Sequence, residues 1–366
     1  MKINLIDPGL VSRVGHHHDI DLRVANELTN LNHEVTIFSH IKYVPGEALN
    51  KKLKIIPIFS ADPYGRLLKA DPYTGEFDEF IRFSKIYSDE LKKLPVADLI
   101  IVPTMFSFLL NAFALIKTQT PIAACIMFGP DFKNINNGKL RWRIAFRNAK
   151  NSLVINIGGL EKVSYYDYLP LTFNRKFHVF PVPYDGSQLY EEKNKIETVG
   201  FFGHQRDEKG IRLLESLIKF LASKNINIIL HDSSSSIKLN HPKVTALNFV
   251  ENLSDEIAKC DLIFLAYNQE AYTNKGSGIL YESIASGVPV LVPFNTTLAK
   301  HVEETGAGVT FYENNIESIC EAFEISQATY GDIKKNASVA SKKWKQIHGV
   351  KNFVKFLIDP SNFNKC

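Results

Sequence analysis

The chain has 366 residues, more than one ordinary hydrophobic core accommodates and a length that suits two domains. Its composition, 45% hydrophobic and 22% charged, is that of a globular protein, and no apolar run reaches the roughly eighteen residues of a membrane span. A formal net charge of +4, with acids mixed evenly among the bases, is too small to imply nucleic acid and suits an anionic small molecule or a membrane surface equally well. The segment from Met1 to Pro8 lacks the length and cleavage site of a signal peptide, so the expected location is the cytoplasm. Cys125, Cys260, Cys320 and Cys366 are scattered without metal-ligand spacing and read as core fillers or surface thiols.

Lys2 to Ile6 is a short apolar strand broken by Asp7-Pro8-Gly9, and a polar loop runs on to Gly15. From about Asp19, the residues Ile20, Val24, Leu28 and Leu31 recur at helical spacing, and Val35 to Phe38 is the next strand. Strand, loop, helix, strand opens a parallel α/β sheet, and such sheets bind ligands beyond the carboxyl ends of their strands. The loop between Asp7 and His18 therefore lies on the ligand side. Further strands are expected at Leu53 to Ile58, Asp98 to Val102, Ile122 to Met127, Ser152 to Ile157 and Phe177 to Val179. Helices are expected at Phe77 to Leu94, Phe106 to Ile116, Lys139 to Lys150 and Leu160 to Leu169. The connection up to about Glu76 is longer than loops usually are.

The helix at 139–150 is basic and amphipathic, with Trp142, Ile144 and Phe146 among arginines and lysines. It suits either peripheral contact with the inner face of the cell membrane or ordinary packing with solvated cations. Pro181-Val-Pro183 and the charged run from Glu191 to Lys195 have the composition of a linker. The expected division is a first domain at 1–182, a linker at 183–196, a second domain at 197–340 and a helical segment at 341–366.

The second half repeats the pattern of elements without repeating residues. Strands are expected at Val199 to Phe202, Ile226 to Leu230, Val244 to Leu247 and Leu262 to Leu265, with helices at Ile211 to Ala222 and Leu253 to Lys259. Asn274 to Pro293 then reads as a glycine-bearing loop, a helix beginning near Ser277, a stop at Gly287 and a buried strand from Val288 to Val292. A helix start beside Ser277 and Gly278 presents amides that attract an anion, and Glu282, within the same helix, could receive hydroxyls. A phosphate next to a hydroxyl pair suggests a nucleotide. From about Ile316 the chain reads as mostly helical.

This stretch resembles the donor-binding signature of group 1 nucleotide-sugar glycosyltransferases. That signature has two glutamates separated by seven residues, then a small-Gly-x-Pro-Val strand entry. Gly278, Glu282, Ala285, Gly287, Pro289 and Val290 fit it, whereas Asn274 stands where the first glutamate belongs. Gly203-His204-Gln205-Arg206 through Lys209-Gly210 resembles the family's Gly-Arg and Lys-Gly motif, with His204 in the arginine position and Arg206 two residues on. The resemblance implies the GT-B fold, two Rossmann-like domains facing across a cleft, with a C-terminal helix, here Asp332 to Leu357, crossing back to the first.

It also implies transfer of a sugar from a nucleotide diphosphate donor, such as a UDP- or GDP-sugar, to a saccharide or lipid-linked acceptor. No metal or further cofactor is expected. The donor would lie on the second domain at Gly203, His204, Arg206, Lys209, Asn274, Lys275, Ser277, Gly278 and Glu282, with Glu270 or Tyr272 as substitutes for the missing glutamate. The acceptor would meet the first domain near Gly15, His17 and His18. His16, nearest Gly15, is the expected base, as in one inverting branch of the fold, and Asp131 is a second catalytic candidate or a plain turn residue. Adjacent helical side chains diverge by about 100°, so the three histidines cannot all converge on one metal ion. A nucleotide-sugar epimerase of the same fold and a non-catalytic nucleotide-sugar scaffold remain the alternatives.

Overall fold

The computed structural model describes residues 1–13, 15–46, 53–64, 76–127, 135–150, 152–160, 177–188, 193–232, 237, 241–273 and 275–365. The chain divides into two compact units, Met1–Pro183 with Val350–Cys366, and Tyr184–Gly349. Each is an α/β layer structure, built because long apolar strands need cover on both faces.

In the first unit, strands β1 (Lys2–Asp7), β2 (Glu34–His40), β3 (Lys54–Phe59), β4 (Leu99–Val102), β5 (Ile122–Ile126) and β6 (Val154–Gly159) lie in the parallel order β3-β2-β1-β4-β5-β6. β4 and β5 are buried throughout, as their unbroken apolar sequences require. The far edge of β6 takes β7 (Phe177–Val179) in parallel and, beside its first residues, the two-residue antiparallel strand β14 (Asn364–Lys365).

The second unit repeats this order. β8 (Thr198–Phe201), β9 (Asn227–His231), β10 (Val244–Leu247), β11 (Leu262–Phe264), β12 (Val290–Pro293) and β13 (Gly308–Phe311) form the sheet β10-β9-β8-β11-β12-β13, parallel throughout. In both sheets the order reverses direction between the unit's first and fourth strands. Ligands of open α/β sheets gather beyond the carboxyl ends at such a point. Phe201, Phe264, Leu291, Phe311 and Phe323 are among the core residues beneath the second sheet's site.

The helix expected from Asp332 to Leu357 is two helices, Tyr330–Ile347 and Val350–Ile358, separated at His348 and Gly349. The first packs on the Gly278–Ser286 helix, where Ser341 Oγ donates to the Ala285 carbonyl at 2.6 Å. The second belongs to the first unit, where the Phe356 carbonyl accepts from Asn156 Nδ2 at 3.0 Å and its ring lies 5.0 Å from that of Phe180.

The basic helix spans Ile135–Ala149 and directs Trp142, Ala145, Phe146 and Ala149 into the core. Its apolar face is thus used for packing, leaving cations and Leu140 outward. Among the described residues no helix is long and apolar enough to cross a membrane. The helix expected at Leu160 to Leu169 lies outside the described residues except for Leu160 itself.

Candidate functional site

β8 delivers the chain to Phe202, which is buried, and then to Gly203 at φ +103°. Glycine suits this position because that backbone region disfavours side chains, and a Cβ here would stand 2.8 Å from the mobile Lys209 Nζ. The same Cβ position is 3.8 Å from Ile279, so the turn after β8 lies against the start of the Gly278–Ser286 helix. The Gly203 amide donates to His231 Nδ1 at 3.4 Å. Burial lowers the His231 pKa, countered by Asp232 and reinforced by Lys209, so this ring at the end of β9 stays neutral and accepts.

Three cations gather at this end of the sheet. Lys209 Nζ lies 5.1 Å from the centre of the Tyr267 ring, and Lys275 Nζ lies 5.0 Å from that of Tyr272. The two tyrosine rings lie 4.5 Å apart, tilted by 36°. Arg206 Nη2 meets Glu208 Oε1 at 2.8 Å, and Lys275 Nζ meets the same oxygen at 3.0 Å. Burial opposes the Glu208 charge, but the Lys275 hydrogen bond and the fields of Lys275, Arg206 and Lys209 outweigh it and hold its pKa below the ordinary value. Arg206 and Lys209 come from the turn after β8, and Lys275 from the loop after β11. They converge because those strands are neighbours.

The Gly278–Ser286 helix is capped by Ser277, whose Oγ accepts from Leu280 N at 3.4 Å. The amides of Gly278 and Ile279 have no partner within the helix, so its positive end adds to the cationic field. The Tyr184 hydroxyl stands 2.9 Å from where a Gly278 Cβ would be. Glu282, one turn further in, is 1% exposed and accepts from Ser254 Oγ at 2.6 Å. Ser254 sits in the first turn of the Leu253–Ala258 helix and orients the carboxylate. His204 is exposed, as is Glu270, while Tyr272 is buried beneath Lys275. Asn274 and Asp131 lie outside the described residues.

The corresponding loop of the first unit has different chemistry. The helix there spans His16–Asn30, starting three residues before its apolar repeat because Gly15, at φ +99°, ends the preceding loop. His17 is buried, with Nδ1 at 2.5 Å from Asp7 Oδ2 and Nε2 at 2.9 Å from the Tyr64 hydroxyl. His16 Nε2 lies 3.4 Å from that same hydroxyl. The His17 ring occupies the place a Gly9 side chain would take, and the Gly9 amide donates to Asp7 Oδ1 at 2.7 Å. His18 turns instead towards Tyr43, 6.1 Å between ring centres, and burial lowers its pKa against the pull of Asp19. Among the described residues, no three His, Cys, Asp or Glu side chains group as metal ligands.

Asp21 is fully buried below this cluster. Burial first, then the charge and hydrogen bonding of Asp7, raise its pKa well above the ordinary carboxylate value. Sequence reasoning missed Asp7, Tyr64, His231, Ser254 and the role of Glu208. Asp7 carried a signal, since it is the last residue of a buried strand on the ligand side, whereas Tyr64 reaches its histidines across more than forty residues of chain.

No family model and no curated protein sequence matches the chain. Solved structures do. Sucrose-phosphate synthase from Thermosynechococcus elongatus is similar with a TM-score of 0.66 at 11% identity, covering 96% of each chain. HepE of Anabaena in complex with UDP-glucose is similar with a TM-score of 0.64 at 14% identity, covering 98% of each. WaaG, a glycosyltransferase involved in lipopolysaccharide biosynthesis, is similar with a TM-score of 0.63 at 14% identity, covering 98% of this chain and all of that one. The fold of this chain is the two-domain α/β GT-B fold of these glycosyltransferases.

Proposed function

We propose that the protein is a glycosyltransferase that takes its sugar from a nucleotide diphosphate donor. The observation that carries this reading is the convergence of Arg206, Lys209 and Lys275 with the Gly203 turn and the positive end of the Gly278–Ser286 helix. A pyrophosphate needs several charges held in a partly dehydrated place, and these groups supply them without a metal ion. Lys209 and Arg206 would take the phosphates with Lys275, and the amides of Gly278 and Ile279 would receive the distal oxygens. Glu282, oriented by Ser254, would accept from the ribose hydroxyls.

On the first unit, the acceptor hydroxyl would be deprotonated by the histidine pair. Asp7 backs His17 and not His16, favouring Nδ1 as the donor and Nε2 as the accepting atom, where an acceptor hydroxyl would take the place of the Tyr64 hydroxyl. His17 is therefore the base in this reading, with His16 and Tyr64 beside it. Similarity to WaaG and to HepE with UDP-glucose supports a UDP-sugar donor and a bacterial surface polysaccharide or glycolipid as product. A cytoplasmic enzyme touching the membrane through the cations of 139–150 fits such a product, with contact by charge since Trp142 and Phe146 are packed inward.

A panel of UDP- and GDP-sugars tests the proposal, with and without saccharide acceptors and with EDTA present. Nucleotide release that needs an acceptor and survives EDTA is the expected result. Sugar inversion without acceptor would assign an epimerase, and binding without turnover a scaffold.

A further inference from the structure

The anion site already holds an anion of its own. Glu208 Oε1 receives both Arg206 Nη2 and Lys275 Nζ, from loops after two different strands, much as a phosphate oxygen sits between two clamps. The backbone delivers it there: the Asn268 amide donates to the Glu208 carbonyl at 2.9 Å, tying the turn after β8 to the loop after β11 whatever the side chain does. The cations do not depend on it entirely, since Lys209 and Lys275 also rest on the Tyr267 and Tyr272 rings.

We propose that Glu208 is a specificity-determining residue, an internal carboxylate that a ligand's phosphates must displace from Arg206 and Lys275. The side chains of Arg206, Lys275 and Glu208 are 50%, 32% and 25% exposed, so the pairs are solvent-screened and open to exchange. A singly charged anion merely replaces one carboxylate with another charge of the same size. A pyrophosphate brings two or more charges and several acceptor oxygens, and gains from all three cations at once. Glu208 thus biases the site against weakly charged anions and keeps its cations ordered between turnovers. This rests on the anion site proposed above and adds to it a competing group.

Titration calorimetry with pyrophosphate, comparing the full-length protein with its Glu208→Gln variant, tests the role, with Glu208→Ala as a second variant should the amide disturb folding. Removing the competitor is expected to tighten pyrophosphate binding about five- to tenfold, the scale of one or two screened ion pairs. Uridine, which has no phosphate, should bind both proteins alike. Unchanged or weaker pyrophosphate binding by cooperatively melting variants overturns the role of Glu208 and leaves the site itself standing. No pyrophosphate binding by wild type or variant overturns the site and, with it, this inference.

Discussion

The turns after β1 and β8 occupy the same topological place in two sheets of identical strand order, yet they hold opposite chemistry. Around the turn after β8, which supplies Arg206 and Lys209, stand Lys275 and a helix start from beyond β11 and a histidine from the end of β9, about one screened carboxylate. At β1 a histidine rests on the fully buried Asp7 and also meets a tyrosine, with Asp21 fully buried beside Asp7. Strand order thus decides where a ligand can be met, and the few residues beyond each strand decide what is met there. In the proposed function one turn attracts charge and the other takes up a proton.

His17→Ala should break the proton-handling half alone. Turnover is expected to fall about 10²- to 10⁴-fold, the usual contribution of a general base, with nucleotide affinity retained. His16→Ala should cost far less, because Asp7 contacts the other ring; equal losses in the two variants would remove the distinction drawn between them. Glu282→Ala should break the opposite half, weakening nucleotide binding by about 1.5–3 kcal/mol, as for a lost hydrogen bond to a charged group. Ser254→Ala, which only releases the carboxylate, should cost less, about 1 kcal/mol. A dissociation constant unchanged in folded Glu282→Ala would take this residue out of the site.

A last effect, on stability and not on activity, sharpens the contrast. Asp21 binds its proton more tightly folded than unfolded, so its favourable contribution is complete below the unfolded carboxylate pKa and is lost as pH rises through the folded value. Asp21→Asn, which cannot ionise, should match the wild type near pH 4 and gain on it above, by at most about 1.4 kcal/mol per pH unit. Melting curves from pH 4 to 8 read this directly. A pH-independent difference would mean that Asp21 does not hold its proton more tightly in the folded protein.

Local pattern made much of this molecule legible. The continuous apolar runs from Asp98 to Val102 and from Ile122 to Met127 announced the covered parallel strands Leu99–Val102 and Ile122–Ile126, and Ser277 before Gly278 marked a helix start that the structure bears out. Where the pattern was read too simply, glycine explains the difference. Gly15 brings the first helix forward to His16, and a break at His348 and Gly349 divides the last long helix in two. The cations at 206, 209 and 275 could be named from their motifs, but not the meeting of Arg206 and Lys275 on one oxygen of Glu208.

By itself, then, the amino-acid order determined which elements form and which loops face the ligand side, because periodicity, caps and glycine turns act over a few residues. Only the tertiary structure decided that His17 rests on Asp7, that Asp21 is buried beside Asp7, and that Ser254 orients Glu282. Those outcomes depend on burial and on pairs brought together across the sheet. Desolvation and contact between segments distant in sequence leave no mark on local spacing.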